Sequence, residues 1–414
     1  MARARGDRSR GTPAPARDRA GSGRAADRHL DALTLGLFAV AFGTNVPTPL
    51  LLVYRETLDL STASVTAVFG AYALGLVPAL LLGGPASDRR GRRTVALPFV
   101  ATAALTSLLF VPAADSVALL YLARFLQGVV SGVVFTVASA WLQELAGADR
   151  PQTAAVRTTL AMTGGFSLGP LSSGLLAEWG PAPTTLPYLV HVALVAVGLV
   201  VLRRVPETVT APRAASTGTR PRGLALPPEA RRPFWTVLAP MAVGVYAFPT
   251  VAITLLPLLL AEGGLTVAAT GGLAGLTLGT GTAIAPLGRR LGPVAGPLGT
   301  ALGAAGLAVG LAAVATTTPL LLLPTALLLG AGQGLVLTAG LALTARLAPP
   351  QTRGAVNSAF YAFAYSGFAA PFLLAALGDR VGDLPALAGA TAVFAAVAAW
   401  LAVDHARRGG RTTP

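Results

Sequence analysis

"FGAYALGLVPALLLGGPASDRRGRR", residues 69–93, joins an apolar run directly to five charges in six positions. From Phe69 to Ser87 no side chain is charged. A helix crossing a hydrocarbon layer needs about 20 such residues. The cluster Asp88, Arg89, Arg90, Arg92 and Arg93 then marks a return to water. The same alternation recurs along all 414 residues, 53% of which are hydrophobic and only 12% charged. A soluble domain carries about 25% charged residues, so a bilayer is the expected solvent for most of this chain.

Twelve apolar runs are long enough to span. They lie at about 31–53, 62–84, 94–114, 117–143, 154–177, 186–203, 234–260, 266–287, 294–315, 319–345, 354–377 and 384–403. Glycine (48) and proline (32) are frequent inside them, which membrane helices tolerate and use for close packing. Residues 203–232 are polar and proline-rich, too long for a turn, and read as a linker. The expected division is a disordered basic tail (1–29), a six-helix bundle (30–204), a linker (205–232), a second six-helix bundle (233–404) and a short tail (405–414).

Every basic residue is arginine. With the N-terminus inside, about 28 of the 31 arginines fall in cytoplasmic segments. Only Arg55 and Arg380 fall outside, and Arg124 lies within the fourth run. The positive-inside rule then places both termini in the cytoplasm of a plasma-membrane protein. The halves also resemble each other. Pro85 and Gly91 return as Pro286 and Gly292, Gly128 and Gly132 as Gly330 and Gly334, and "PQT" at 151–153 as "PQT" at 350–352. A duplicated six-helix unit is a transporter signature.

Other chemistries find no support. Cysteine is absent and the three histidines are scattered, so no metal site is expected, and the lack of lysine excludes a Walker-type phosphate loop. A net charge of +14 raises nucleic acid as a partner, but the arginines sit at membrane boundaries. The expected partners are the lipid bilayer and a small-molecule substrate, with the chain a monomer and not an enzyme.

The loop at 84–93 resembles the G-x-x-x-D-R-x-G-R-R loop of the major facilitator superfamily, and its place after the second of twelve spans strengthens the likeness. The resemblance implies an all-α membrane fold of twelve helices in two six-helix bundles, working by alternating access. It also implies that Gly84, Asp88, Arg89, Gly91, Arg92 and Arg93 latch the bundles in one conformation. Gly84 and Gly91 suit a tight turn. "YLARFLQGVVSG" in the fourth run is similar to the family's R-x-x-Q-G pattern. Arg124, the one deep charge, needs a cavity or a polar partner; Gln127 and Asn45 are the candidates. "GGFSLGPLSSG" in the fifth run is similar to the motif of the family's proton-coupled drug antiporters, with Gly165, Gly169, Pro170 and Gly174 in place and Ser173 replacing a glycine.

Asn357, Tyr361 and Tyr365 share one helix face and are expected to line a cavity with Tyr72, Tyr246 and Gln333. All 17 acids fall in tails, loops or helix ends. No cofactor is expected, and proton coupling is implied by the resemblance alone. The expected cargo is a small, largely apolar organic compound moved outward. The alternative is a facilitator or importer of a sugar-like or weakly acidic metabolite on the same fold.

Overall fold

The computed structural model describes residues 16–147, 149–209, 226–347 and 353–409. The first 15 residues, linker positions 210–225, the second "PQT" and residues 410–414 lie outside the described residues. Among those described there is no strand.

Six helices form the first bundle. They are α1 (Ala16–Thr44, continued as Pro47–Thr57), α2 (Thr62–Arg90), α3 (Arg92–Ala113), α4 (Val117–Ala146), α5 (Pro151–Trp179) and α6 (Leu186–Leu202). The second bundle holds α7 (Pro228–Leu259), α8 (Val267–Ala283 and Ala285–Leu291), α9 (Ala295–Ala315), α10 (Leu322–Leu347), α11 (Arg353–Ser366 and Ala370–Val381) and α12 (Asp383–Gly409). Sequence reading therefore identifies the fold class correctly.

Local chemistry sets the helix ends. Ser61, Ser116 and Thr266 cap α2, α4 and α8, each hydroxyl accepting an N–H three residues on. α7 is interrupted by π-helical turns at Phe234–Leu238 and Val251–Leu255, close to Pro249 and Pro257. α1 reaches back to Ala16, into the segment expected to be a disordered tail. Ion pairs from Asp27 to Arg150 (2.8 Å) and from Asp31 to Arg157 tie it to the start of α5.

The duplication is visible in the packing. A Cβ on Gly132 in α4 would stand 2.6 Å from the Leu76 carbonyl oxygen of α2. A Cβ on Gly334, 202 residues later in α10, would meet the Gly281 carbonyl of α8. Gly165 in α5 lies against Ala41 and Phe42 of α1, and its counterpart Gly367 in α11 against Val243 and Ala247 of α7. Glycine at these places brings backbones together where lipid offers no hydrophobic drive for helix association.

α1 and α7 are buried along most of their length, whereas α12 is largely exposed. The exposed residues include Leu74, Leu81, Leu105, Leu373, Val393 and Trp400. Apolar surface of this extent suits lipid and not water. A core of Leu50, Tyr54, Phe110, Tyr188, Leu255 and Leu256 joins the two bundles on the side of the α1–α2 and α7–α8 loops.

Candidate functional site

The site begins with two prolines. Pro47 and Pro49 carry no N–H, so a helix running through them would leave carbonyls without donors. α1 breaks at Asn45–Val46 instead. The Thr48 N–H turns to the Asn45 carbonyl (3.1 Å), leaving that of Thr44 free. Side chains of α4 supply what is missing. Gln127 Nε2 donates to the Gly43 carbonyl (2.6 Å), and Arg124 Nη1 to the Thr44 carbonyl (3.1 Å) and to Gln127 Oε1 (2.6 Å). Arg124 Nη2 is 3.5 Å from the Phe69 carbonyl, and the guanidinium lies over the rings of Phe69 and Tyr72, 5.1 Å from each centroid. Arg124 is 1% exposed, and its Nε finds no acceptor.

Arg124 forms the apex of a cavity of about 1310 Å³ between the bundles. The cavity widens toward the side holding the α2–α3, α4–α5, α8–α9 and α10–α11 connections, where Gln143, Arg289 and Arg346 line its mouth. Asn45, Tyr72, Arg124, Tyr246, Gln333, Asn357, Tyr361 and Tyr365 all lie on its wall. Gln127 does not. It stands behind Arg124, held by the Gly43 carbonyl at the break in α1, and this corrects its expected place. Asn45 accepts from the Thr48 hydroxyl (3.4 Å) and does not meet Arg124.

The aromatic rings form one connected stack. Tyr246 lies 5.0 Å from Tyr365 and 4.7 Å from Phe368 between ring centroids, and Phe368 reaches across to Phe69 (6.3 Å) and Tyr72 (6.2 Å) of the other bundle.

On the opposite side the bundles are shut. Arg55 Nη1 donates to the Leu258 carbonyl (2.7 Å). The Glu178 carboxylate accepts from the N–H groups of Val267 (3.0 Å) and Ala268 (3.4 Å), at the positive end of α8. The fifth-run motif packs α5 against α1 and, at Gly174, against the second bundle. Gly169 packs on Phe42, and Gly174 lies against Gly271 of α8. Ser173, beside Pro170, donates to the Val46 carbonyl (2.6 Å).

The opening stretch of sequence lies at the rim of the open side. α2 stays helical through Arg90, so Gly84 makes no turn, contrary to the sequence expectation. It faces Thr136 of α4, and the Ser87 hydroxyl donates to its carbonyl. Gly91 alone reverses the chain, at φ 100°. There Glu207 accepts the backbone N–H groups of Arg92 (2.7 Å) and Arg93 (2.9 Å). Arg92 pairs with Asp88 (2.5 Å) and Glu144 (2.9 Å) and donates to Ser87. Arg89 is exposed. Asp88, Ser87 and Glu144 belong to the first bundle and Glu207 to the start of the linker; with the mouth open, none of these partners of the loop, among the described residues, is on the second bundle.

Residues 33–371 match the sequence profile of the Major Facilitator Superfamily. The chain belongs to this superfamily. It is a multi-pass membrane transporter and not an enzyme. Multidrug resistance protein MdtL of Escherichia coli O157:H7 is 37% identical over 87 residues, 21% of this chain and 22% of MdtL. The matched stretch thus spans about a fifth of that relative. Among solved structures, a POT family transporter in complex with 5-aminolevulinic acid superposes with TM-score 0.75 at 12% identity, covering 93% of this chain and 97% of that one. A mutant of the nucleoside transporter NupG gives TM-score 0.68 at 15% identity, covering 91% and 96%. At these identities the likeness is one of fold.

In this superfamily member, some site residues escaped the sequence reading. Phe368 is three residues beyond Tyr365 and continues its face, so helical spacing contained the signal. Phe69 precedes Tyr72 by one turn in the same way. Glu144 and Glu207 carried no signal, since only the fold brings them to Arg92. His191 is buried and satisfied, with Nε2 donating to the Ala39 carbonyl (3.0 Å) and Nδ1 accepting from Ser107 (2.6 Å).

Proposed function

We propose that this chain exports small, largely apolar organic compounds across the plasma membrane by alternating access, as a monomer with both termini in the cytoplasm. One observation carries the reading: the central cavity is open at one end and sealed at the other by contacts between the bundles. A transporter at rest in one of its two states has this form. Arginine asymmetry makes the open side cytoplasmic. The partial likeness to MdtL supports export of drug-like compounds, and the apolar and aromatic wall suits such cargo. On this reading the loop at Asp88–Arg93 is a latch that engages the second bundle when the mouth closes.

Import of a sugar-like or weakly acidic metabolite is the second reading, favoured by Arg124 and the amides Asn45, Gln333 and Asn357 on the wall. Inside-out vesicles carrying the chain separate the two. Accumulation of a panel compound in such vesicles, stimulated by an imposed pH gradient, supports export coupled to protons. Accumulation only in right-side-out vesicles overturns export.

A further inference from the structure

We infer that the compound this cavity holds is an organic anion with an aromatic body, bound through Arg124. The inference rests on the transporter reading above and names its substrate class.

Charge is the first ground. Among the described residues, the cavity wall carries Arg124, Arg289 and Arg346 and no aspartate or glutamate. The internal stretches outside the described residues (148, 210–225 and 348–352) contain no acid in their sequence. A cation entering would meet positive charge at the mouth and again at the apex. An anion would be drawn along the same path, because a cleft lined by one sign of charge concentrates the opposite ion.

The state of Arg124 is the second ground. A charge this deep is ordinarily paired with another charge or with backbone carbonyls. Here its acceptors are two carbonyls and an amide, all neutral, and its Nε has none. The acids that meet arginines elsewhere in this chain, such as Asp88 and Glu144 at Arg92, lie at the rim. The guanidinium is therefore a buried cation without a counter-ion, on the wall of a space large enough for an organic molecule. A carboxylate or similar group in the cavity supplies the counter-charge that these neutral acceptors do not.

The aromatic stack is the third ground. Aromatic faces attract cations, but the two nearest the apex, Phe69 and Tyr72, already hold the Arg124 guanidinium. Tyr246, Tyr361, Tyr365 and Phe368 on the facing bundle then serve a flat apolar body.

The test uses three aromatic probes of one shape: naphthoate (anion), naphthamide (neutral) and naphthylmethyl-trimethylammonium (cation). Binding to the purified full chain is measured by titration calorimetry, and uptake into proteoliposomes with radiolabelled probes. The expected result is naphthoate binding roughly 10-fold to 100-fold tighter than naphthamide, the range set by hydrogen bonds to a charged group. The cation should be weakest. Arg124→Gln should remove that preference, naphthoate then binding no tighter than naphthamide. If that variant does not fold, Arg289→Gln with Arg346→Gln should weaken naphthoate binding and flatten its salt dependence.

Binding of the cation as tight as the anion overturns the inference, as does an anion preference surviving in a folded Arg124→Gln. Uptake of the neutral or cationic probe without naphthoate refutes the substrate class and leaves the transporter reading intact. Proteoliposomes that move none of the three refute both.

Discussion

Gly132 offers a quantitative test of the packing that positions Arg124. A methyl group there would stand 2.6 Å from the Leu76 carbonyl oxygen, 2.7 Å from Ala79 Cβ and 2.9 Å from the Leu80 amide nitrogen. Ordinary contact begins at 3.4 Å, so α2 and α4 must part by about 0.8 Å, and the obstacle is backbone that no rotamer change relieves. Forcing extra volume into a packed interface costs about 1–3 kcal/mol. Helix propensity works the other way, alanine being better than glycine by about 1 kcal/mol. Gly70 and Gly272 provide the control, since a methyl group on either meets nothing within 4 Å. Gly132→Ala should therefore melt below wild type or level with it, while Gly70→Ala and Gly272→Ala melt level with it or above. The gap between the two classes should be about 1–3 kcal/mol, at roughly 2–4 °C per kcal/mol for a unit of some 200 residues. Thermal unfolding in detergent, followed by loss of the monodisperse chromatographic peak, reads it. Equal melting of Gly132→Ala and Gly70→Ala would refute the idea that close backbone approach holds these helices.

Three further outcomes are expected. Arg124→Ala should abolish transport in proteoliposomes while the protein still reaches the membrane, because the cavity apex loses its charge; undiminished transport would remove Arg124 from the site. Asp88→Asn should slow turnover without weakening substrate binding, since Asp88 meets Arg92 at the rim, far from the cavity apex; a large affinity loss at unchanged rate would contradict this. Glu178→Gln should loosen the sealed side by about 0.3–1 kcal/mol, the worth of a carboxylate at a helix N-terminus. In this cysteine-free chain, a cysteine placed at the buried Ala268 should then react faster with an impermeant maleimide, and an unchanged rate would discount the contact.

Much of this architecture was legible because lipid imposes a strict rule on sequence: apolar runs of spanning length between charged breaks. The glycine pairs at 128/132 and 330/334 were legible for a related reason, as two copies of one unit keep glycine where helices touch. The tyrosine stripe of α11 followed from helical spacing alone. Long-range partnership was not legible. Nothing local to Gln127 says that Pro47, eighty residues earlier, breaks the helix whose Gly43 carbonyl it serves. Glu207 reaches the N–H groups of Arg92 and Arg93 only because α6 ends beside α3. Gly84 misled because a glycine beside a charged break suits a tight turn, whereas α2 continues through it to Arg90.

The central claim is that two bundles rock about the cavity, and the absence of native cysteine makes it directly measurable. One spin-label pair would replace Gln143 and Arg346 across the open mouth, and another Glu56 and Glu262 across the sealed side; all four positions are exposed. Pulsed electron–electron distance measurements in nanodiscs, with and without naphthoate, should show two populations related in opposite senses. Wherever the Gln143–Arg346 distance shortens, the Glu56–Glu262 distance should lengthen. Distances that stay fixed under all conditions, or that grow together, would contradict alternating access in this molecule.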